Sequence, residues 1–535
     1  MQLNLKTMVE RAEKYFPENE IVTRLDDGSL DRTNYAAFGK RVSKLASALK
    51  TIDVHEGDMV ASLAWNTAQH LELYFGVPCS GSALHTANLR LSDEHIAYTV
   101  NHAADKAIFF SADLLDVVER VAPHLNTVET YIILGDAPAQ TSLPSLITYE
   151  DLIGRGDADF KLPDVAEDSA ASMCFTSATT GDPKGVIYSH RAIYLHALML
   201  MGADTMAISE HDTFLPIAPM FHVNAWGIPF AGVWAGSKFV FPGSRPHAQE
   251  NLDLIEAEKV TFAYGAVTVG IDMMNELEAK PRDISSLRQF MLGGSATPEG
   301  VMKYFLEKHG VPIFTAWGST ECAPIATTVH IKRHQVDFDD GGKIGIRLRQ
   351  GLPVPGVDLE VRDGDGQAVP MDDETVGEAY VRGPWIATQY FNDPRSAESF
   401  DDGWWISGDI AAQDGEGVLR LVDRAKDLIK SGGEWISSVD LENALMGHDG
   451  VKEAVIIAMP DEKWLERPLA IVVLQEGADN VGEAELIEWL TPKFAKWWLP
   501  DRILIRDEIP KTGVGKFNKR LLRDGLKDLL ADAKN

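Results

Sequence analysis

The chain has 535 residues, which is enough for two or more domains with well-buried cores. It carries 50 basic and 80 acidic residues, and the resulting net charge of −30 argues against a protein that binds nucleic acid or an anionic membrane. The three cysteines are odd in number and far apart, so they predict neither a disulfide framework nor a zinc knuckle, and the cytoplasm is the expected location. The N-terminus does not read as a signal peptide, and no apolar stretch predicts stable membrane insertion.

The first 350 residues alternate between helix and strand patterns. Residues 35–49 carry apolar side chains at helical spacing, residues 59–63 form a strand pattern, and residues 67–74 form a helix pattern. Strand patterns follow at residues 108–110, 131–134, 214–217, 261–264, 289–292 and 312–316, with helix patterns at residues 191–201, 251–258 and 298–309. This alternation predicts an α/β fold of parallel strands covered by helices, and the length fits two such sheets stacked together.

The pattern changes after residue 350. Short alternating runs between residues 351 and 423 are separated by the turn dipeptides Asp363-Gly364, Asp365-Gly366 and Asp414-Gly415, which predict a small antiparallel barrel or meander. A compact α+β pattern follows, with helices at residues 439–446, 483–496 and 519–531 and strands at residues 454–458, 470–474 and 503–505. The prediction is an N-terminal domain of residues 1–425, which includes the β-rich part, and a small C-terminal domain of residues 426–535.

Residues 176–185, with the sequence Thr-Ser-Ala-Thr-Thr-Gly-Asp-Pro-Lys-Gly, follow an apolar run that reads as a buried strand. Hydroxyl side chains and free backbone N–H groups donate to phosphate oxygens, and Lys184 adds a compact positive charge. The stretch is not a Walker A loop, because Gly185 rather than Ser or Thr follows Lys184. An ordinary polar loop has the same composition, but the position at the carboxyl end of a strand favours a phosphate-binding loop.

Five further stretches combine residue types that suit ligand chemistry. They are the apolar run 219–227, the glycine turn 293–296, the strand-to-loop stretch 315–321, the paired blocks 405–409 and 423–430, and the loop 510–516. Taken singly, each has a simpler interpretation: a core histidine, a plain turn, a solvated carboxylate, a charged linker or an exposed lysine near the chain end.

In this order, the six stretches resemble the adenylate-forming superfamily of acyl-CoA synthetases, peptide-synthetase adenylation domains and firefly luciferase. The resemblance spans most of the chain. Residues 71–76, 222–226 and 463–468 are similar to those of medium- and long-chain fatty acid ligases and methylmercaptopropionate-CoA ligases. Two positions depart from the family pattern: Ala178 replaces a glycine of the phosphate loop, and Val267 replaces a proline in a wall of the acyl pocket.

The resemblance implies roles for individual residues. Lys516, Glu321, His222 and Lys184 are expected to be catalytic, and Thr176 and Glu321 are expected to bind Mg²⁺. The expected ATP- or AMP-binding residues are Thr176, Ser177, Ala178, Thr179, Thr180, Gly181, Lys184, Gly293, Gly294, Ser295, Trp317, Gly318, Ser319, Thr320, Asp409, Arg424, Lys430 and Trp435. The expected acyl-binding residues are His222, Val223, Trp226, Gly293 and Pro324, the expected hinge is Lys426, and the expected CoA-channel residues are Gly432, Gly433 and Glu434.

The activity that the resemblance implies is AMP-forming acyl-CoA synthesis. A fatty acid, or a similar carboxylate such as methylmercaptopropionate, would react with ATP and then with CoA in the presence of Mg²⁺, while a mobile C-terminal domain alternates between the two steps. Two alternatives stay open: an adenylation enzyme that loads a carrier protein, and a non-catalytic nucleotide sensor, which Ala178 alone favours. The same group of enzymes suggests a homodimer.

Overall fold

The computed structural model describes residues 2–176, 182–432, 434–461, 463–478, 480–511, 517–526 and 529, with only the backbone of Glu434. The strands up to residue 353 are β1 (Glu20–Arg24), β2 (Leu30–Asn34), β3 (Met59–Leu63), β4 (Ala83–Thr86), β5 (Ala107–Ser111), β6 (Thr130–Leu134), β7 (Leu146–Thr148), β8 (Ala170–Phe175), β9 (Gly185–Ser189), β10 (Thr213–Pro216), β11 (Lys238–Phe241), β12 (Phe262–Ala266), β13 (Gln289–Gly293), β14 (Ile313–Phe314), β15 (Ala316–Gly318), β16 (Ile325–Thr328) and β17 (Leu352–Pro353). The helices are α1 (Lys6–Tyr15), α2 (Tyr35–Ala48), α3 (Ala68–Gly76), α4 (Asp93–Ala103), α5 (Leu115–Val121), α6 (Tyr149–Gly154), α7 (His190–Leu200), α8 (Val223–Trp226), α9 (Ile228–Ala235), α10 (Ala248–Glu258), α11 (Val267–Ala279), α12 (Glu299–His309) and α13 (Asp340–Arg347).

Two seven-stranded sheets organise this part of the chain. One has the strand order β14-β13-β12-β10-β11-β1-β2, and the other has the order β7-β6-β5-β3-β4-β8-β9. Neighbouring strands are parallel except for the pairs β1–β2 and β8–β9. One apolar core contains side chains from both sheets, including Phe109 of β5 and Phe214 of β10, together with Phe38 and Phe75 of the helices α2 and α3. The predicted α/β fold with two sheets is therefore confirmed.

Local sequence explains where several of these helices begin. The Asn34 side chain accepts a hydrogen bond from Ala37 N at the start of α2, and the Thr67 hydroxyl accepts one from His70 N at the start of α3. Asn and Thr are preferred at this position because their oxygens satisfy backbone N–H groups that have no partner within the helix.

The structure differs from the prediction at three elements. Residues 185–189 form β9, an antiparallel strand that the sequence reading missed. The predicted strand 312–316 is divided between β14 and β15, because the Thr315 hydroxyl donates to Arg347 O at 2.7 Å and the chain passes into another sheet. The predicted helix 483–496 ends at Leu490, because Pro492 has no N–H to continue the helical hydrogen bonds, although Thr491 keeps helical angles (φ −54°, ψ −42°).

The remaining strands are β18 (Asp358–Arg362), β19 (Gly377–Arg382), β20 (Phe400–Asp401), β21 (Trp404–Gln413), β22 (Leu419–Arg424), β23 (Ile429–Ser431), β24 (Glu434–Ile436), β25 (Val451–Asp461), β26 (Leu465–Leu474) and β27 (Arg502–Ile505). The remaining helices are α14 (Ser396–Ser399), α15 (Ser438–Met446), α16 (Glu483–Leu490) and α17 (Lys519–Asp524). A three-stranded sheet, β15-β16-β17, precedes a five-stranded antiparallel sheet of β18 to β22, and β23 to β27 form a further five-stranded sheet with apolar clusters of its own. None of the helices described is long and apolar enough to cross a bilayer.

Candidate active site

The predicted phosphate loop joins the antiparallel strands β8 and β9. Its two ends are fastened to each other, since Thr176 N–H donates to Lys184 O at 2.9 Å and Lys184 N–H donates to Thr176 Oγ1 at 3.1 Å. Arg395 Nη1 also donates to Asp182 O at 2.9 Å. The predicted ligands between these ends lie outside the described residues; they are Ser177, Ala178, Thr179, Thr180 and Gly181. Backbone contacts therefore fix the base of the loop.

A buried carboxylate lies beside the loop. Glu321 is 6% exposed, and the Tyr390 hydroxyl donates to its Oε1 at 2.5 Å while the Ser319 hydroxyl donates to its Oε2. The ammonium of Lys184 lies 4.0 Å from the centre of the Tyr390 ring. Burial lowers the pKa of Lys184, and the charge of Glu321 opposes that shift. A carboxylate, a lysine and a tyrosine from three distant segments thus meet at one point.

Thr320 completes the loop that carries Glu321. Its side chain is buried, and its carbonyl accepts a hydrogen bond from the Tyr188 hydroxyl at 2.6 Å. The carbonyl of Glu321 accepts from Ala387 N at 2.8 Å. The backbone of this loop is therefore held from β9 on one side and from the segment before Tyr390 on the other.

A second carboxylate, Asp409, lies between an indole and a guanidinium. Trp317 Nε1 donates to Asp409 Oδ2 at 2.9 Å, and Arg424 Nε lies 2.6 Å from Asp409 Oδ1. Asp409 and Arg424 face each other across the paired strands β21 and β22. The indole of Trp317 stacks on that of Trp405 with 6.2 Å between ring centroids and 25° between planes. The structure thus brings together three residues that the sequence predicted as nucleotide ligands.

Glycines lie in two segments next to Trp317 and Asp409, one directly after β13 and the other in β15. Gly294, at φ +90°, and Ser295 are both exposed directly after β13. Gly318 is required at its position, because a Cβ there would lie 1.7 Å from the carbonyl oxygen of Pro324. At both positions, the lack of a side chain allows other groups to come close to the backbone.

The predicted acyl-binding run includes α8, which is a single left-handed turn and not a right-handed α-helix. Val223, Asn224, Ala225 and Trp226 have φ angles of 46°, 51°, 47° and 62°, a conformation that costs a residue with a Cβ about 1–2 kcal/mol. Hydrogen bonds offset part of this cost, because Asn224 Oδ1 accepts from the Ser172 hydroxyl at 3.2 Å. The turn places a large indole at its end.

Trp226 packs against Gly293, the last residue of β13. A Cβ on Gly293 would lie 3.2 Å from Cη2 of Trp226, and the centroids of the Trp226 and Tyr264 rings are 5.8 Å apart. The predicted acyl ligands Val223 and Trp226 are buried, and His222 is half-buried. The apolar end of the site is thus next to the glycine turn of the nucleotide end.

Two cysteines lie within this site and are fully buried. Cys174 is in β8, directly before the phosphate loop, and Cys322 follows Glu321. Burial raises the pKa of Cys174 to about 11. Burial and the charge of Glu321 raise the pKa of Cys322 well above its ordinary value. Both side chains therefore stay as neutral thiols.

Comparison with known proteins places this arrangement in a family. The model of the family described as "AMP-binding enzyme" matches residues 9–391, and that of the "AMP-binding enzyme C-terminal domain" matches residues 440–516. The chain belongs to the AMP-binding enzyme family.

This AMP-binding enzyme resembles its named relatives over almost its whole length. It is 42% identical over 534 residues to the long-chain-fatty-acid–CoA ligase of Thermus thermophilus, which covers 99% of this chain and 97% of that protein. It is 38% identical over 530 residues to the 3-methylmercaptopropionyl-CoA ligase of Ruegeria pomeroyi, which covers 99% of this chain and 98% of that protein. The crystal structure of the anthranilate CoA ligase AuaEII with anthranoyl-AMP matches with a TM-score of 0.87 at 25% identity, over 99% of this chain and 98% of that one.

The predicted ligands after residue 425 in this AMP-binding enzyme contact the last sheet. Lys430 lies over the ring of Trp435 at 5.0 Å, and Trp435 is 45% exposed rather than packed on the pair of Trp317 and Asp409. Gly432 N donates to Trp464 O at 2.7 Å. Gly433, the Glu434 side chain and Lys516 lie outside the described residues.

Lys511, five positions before the predicted catalytic lysine, pairs with a carboxylate of the last sheet. Its ammonium lies 2.6 Å from Glu453, and the charges of Lys511 and Lys452 oppose the burial that raises the pKa of Asp272 in α11. The ion pair with Glu453 of β25 therefore holds Lys511 on the last sheet.

Sequence reasoning missed two aromatic residues of this site, Tyr390 and Trp405. Tyr390 is 69 positions from the carboxylate that it contacts, and no spacing within residues 388–391 marks it. Trp405 lies in a block that was singled out, but its stacking partner Trp317 comes from another sheet. Only the tertiary pairing distinguishes these residues from ordinary core aromatics.

Proposed function

We propose that this AMP-binding enzyme is an AMP-forming acyl-CoA synthetase. In the first step, a carboxylate oxygen attacks the α-phosphorus of ATP, and acyl-AMP and pyrophosphate form. In the second step, the CoA thiolate attacks the acyl carbon, and AMP leaves. The observation that carries the proposal is the convergence of Lys184, Glu321 and the pair of Trp317 and Asp409, in a chain 42% identical to a named acyl-CoA ligase.

The residues of the site suit chemistry that depends on positioning. Phosphoryl-centred reactions need alignment and charge neutralisation more than a protein nucleophile. The Thr176 hydroxyl and the Lys184 ammonium can donate to phosphate oxygens. Asp409, which accepts from Trp317 and lies beside Arg424, is proposed to accept the ribose hydroxyls, because a carboxylate has about four acceptor positions. The ring of Trp317, which stacks on Trp405, is proposed to lie beside the base.

The oxygen donors at Glu321 and Thr176 fit Mg²⁺. This ion prefers hard oxygen ligands and usually keeps several waters and phosphate oxygens, so a protein needs to supply only one or two groups. Consistent with that mode, the described ranges contain no cluster of three or more His, Cys, Asp or Glu that could hold a metal. Bound there, Mg²⁺ would neutralise part of the triphosphate charge.

The acyl substrate that we propose is a medium- or long-chain fatty acid, or a similar carboxylate such as methylmercaptopropionate. The support is the buried apolar wall that Trp226, Val223 and Tyr264 provide beside Gly293, together with the names of the relatives that are 42% and 38% identical. His222 is proposed to lie near the acyl carboxylate. Pro324, whose carbonyl accepts from Ser319 N at 3.0 Å, would connect this wall to the loop of Glu321.

We propose that residues 426–535 move as one domain about Lys426. Apolar clusters confined to this segment support the idea. The charge of Lys511 acts against the burial that raises the pKa of Asp272 in α11, and on this proposal the same orientation brings Lys516 toward the first half-reaction. After rotation, the exposed residues Gly432 and Trp435 would face the CoA channel in place of Lys516. A cytoplasmic location and a homodimer are further proposals that rest on the resemblance.

The proposal is tested with the purified chain, Mg²⁺ and ATP. Acids from propionate to palmitate, with methylmercaptopropionate, are assayed for exchange of labelled pyrophosphate into ATP, and then for AMP release with CoA. The expected result is acid-dependent exchange together with CoA consumption. Exchange without use of CoA would point instead to loading of a carrier protein, and no exchange with any acid would contradict the proposal.

A further inference from the structure

We propose that Tyr390 is a positioning residue that sets the Glu321 carboxylate and the Lys184 ammonium as one unit and keeps these two charges from pairing with each other. The inference rests on the proposed function, because it concerns the metal-binding and phosphate-binding groups of that same site. Tyr390 is 3% exposed and lies between the two groups.

The hydroxyl of Tyr390 orients the carboxylate. It donates to Glu321 Oε1 at 2.5 Å, while the Ser319 hydroxyl donates to Oε2, so each carboxylate oxygen has one donor. A carboxylate has about four acceptor positions, and two therefore stay available to a cation. Hydrogen bonds to a charged acceptor are shorter and stronger than neutral ones, which makes this orientation firm.

The ring of Tyr390 positions the lysine without using its donors. The Lys184 ammonium lies 4.0 Å from the ring centre, within the range of a cation–π interaction. A ring face attracts the charge but is not a directional acceptor, so all three N–H groups stay free for phosphate oxygens. Among the described residues, Lys184 forms no ion pair within 4.0 Å, although the charge of Glu321 acts on it.

The backbone around Tyr390 explains why this separation is stable. Tyr390 N donates to the Ser396 hydroxyl at 2.9 Å, and Phe391 N donates to the carbonyl of Gly185, next to Lys184, at 2.8 Å. The Tyr390 ring also packs edge-on against Phe400 with 5.1 Å between centroids. Loss of the ring would let the lysine and Glu321 approach, and a direct ion pair would occupy both groups.

The test compares Tyr390→Phe, which keeps the ring, with Tyr390→Leu, which removes the aromatic face. Tyr188→Phe is the matched control, because its hydroxyl donates at 2.6 Å to the Thr320 carbonyl of the same loop but not to the carboxylate. Mn²⁺ is used in place of Mg²⁺, and its binding with a non-hydrolysable ATP analogue is measured by electron paramagnetic resonance. Binding of the analogue without metal is measured by calorimetry.

We expect Tyr390→Phe to weaken Mn²⁺ binding about ten-fold or more and to leave metal-free nucleotide binding nearly unchanged, because a bond to a charged group is lost. Tyr390→Leu should weaken both, and Tyr188→Phe should weaken neither by more than about three-fold. Wild-type Mn²⁺ affinity in Tyr390→Phe, or an equal loss in Tyr188→Phe, would overturn the inference. If Tyr390→Leu does not fold, the comparison of Tyr390→Phe with Tyr188→Phe still tests whether the Tyr390 hydroxyl orients the Glu321 carboxylate.

These measurements are independent of turnover. A wild-type protein that binds Mn²⁺ and the analogue but never exchanges pyrophosphate would contradict the proposed function, while the binding data would still judge Tyr390. Conversely, active protein with unchanged metal binding in Tyr390→Phe would contradict only the inference about Tyr390.

Discussion

The indole N–H of Trp317 donates to the carboxylate of Asp409 across 92 positions of the chain, and this bond joins two sheets. In the proposed enzyme, it links the residue beside the base to the residue that accepts the ribose hydroxyls. The nucleotide end of the site is therefore preorganised by a contact between its own ligands.

Replacement of Trp317 tests this link. Trp317→Phe keeps a ring that can stack on Trp405 but removes the donor to Asp409. We expect the dissociation constant of AMP, measured by calorimetry, to rise about ten-fold, because a hydrogen bond to a charged acceptor is lost. Trp405→Phe is the control, since it leaves the bond between Trp317 and Asp409 intact. An equal loss of affinity in that control would show that stacking, not the bond, is responsible.

The contact of Gly293 with Trp226 predicts an effect on chain length. In Gly293→Ala, the new methyl would lie 3.2 Å from the indole, so the ring must move within the acyl wall. We expect the ratio of kcat/KM for palmitate to that for propionate to fall about ten-fold, which is the usual effect of one methyl group in an apolar pocket. Gly300→Ala is the control, because a Cβ there meets nothing within 4 Å. A uniform loss for all acids would contradict an effect on the pocket.

Contacts across the proposed hinge predict a change in the balance of the two half-reactions. Asp423 Oδ2 accepts from Ser438 N at 2.7 Å and from the Ser438 hydroxyl at 2.5 Å, and Lys426 lies between these residues in sequence. Rotation at Lys426 must break these bonds, so Ser438→Ala should weaken the orientation seen in the structure. We expect the rate of thioester formation from synthetic acyl-AMP, relative to pyrophosphate exchange, to rise about three- to ten-fold, as loss of one hydrogen bond allows.

Lys516→Ala provides the reference for that experiment. It should reduce acyl-adenylate formation about 10²–10³-fold, by analogy with removal of a transition-state donor, and should retain thioester formation. If Lys516→Ala lowers both half-reactions equally, or Ser438→Ala leaves their ratio unchanged, the proposed domain alternation is wrong for this chain.

Buried histidines predict a loss of stability on acidification. Burial lowers the pKa of His190 to about 4 and that of His196 to about 3, and both rings accept a backbone N–H, from Leu5 and Ile325, which requires the neutral form. The unfolded chain, with a histidine pKa near 6.5, binds more protons between these values. Stability should therefore be complete above about pH 6.5 and fall by about 1.4 kcal/mol per pH unit for each histidine as the pH falls toward 4.

The measurement is the thermal unfolding midpoint at pH 7.5 and pH 5.5. His196→Gln should show a smaller drop between the two pH values than the wild type, whatever its midpoint at pH 7.5. The exposed His211, changed to Gln, should leave the drop as it is, because 87% of its side chain is accessible. An unchanged drop in His196→Gln would show that this histidine does not contribute.

Local pattern predicted the elements far better than their pairing. The period of the apolar residues in 35–49 and 59–63 was sufficient for α2 and β3, because α2 buries one face in an apolar core and β3 buries its two faces in different apolar clusters. It did not predict β9, whose partner β8 lies beyond the phosphate loop, or the division at Thr315, which depends on the carbonyl of Arg347.

In the site, too, residues within recognisable motifs could be predicted from the sequence, whereas residues that matter only through tertiary contacts could not. Family-like spacing marked Glu321, Trp317, Asp409 and Arg424, and the structure brings the last three together. Tyr390 could not be found in this way, because its proposed role depends on contacts with Glu321 and Lys184, which come from distant parts of the chain. The roles of Lys516 and of residues 177–181 remain predictions from the resemblance.

The burial of the protein's own sulfur atoms has a chemical consequence. Acyl-AMP is an electrophile that any thiolate in reach would capture, and Cys174 lies two positions before the predicted phosphate loop while Cys322 directly follows Glu321. Because both thiols are protonated and buried, neither competes with CoA for the acyl group. The enzyme therefore does not acylate its own cysteines before CoA binds. Mass spectrometry of protein incubated with acid, ATP and Mg²⁺ but no CoA should accordingly detect unmodified cysteines, and a thioester on either one would show that this protection fails.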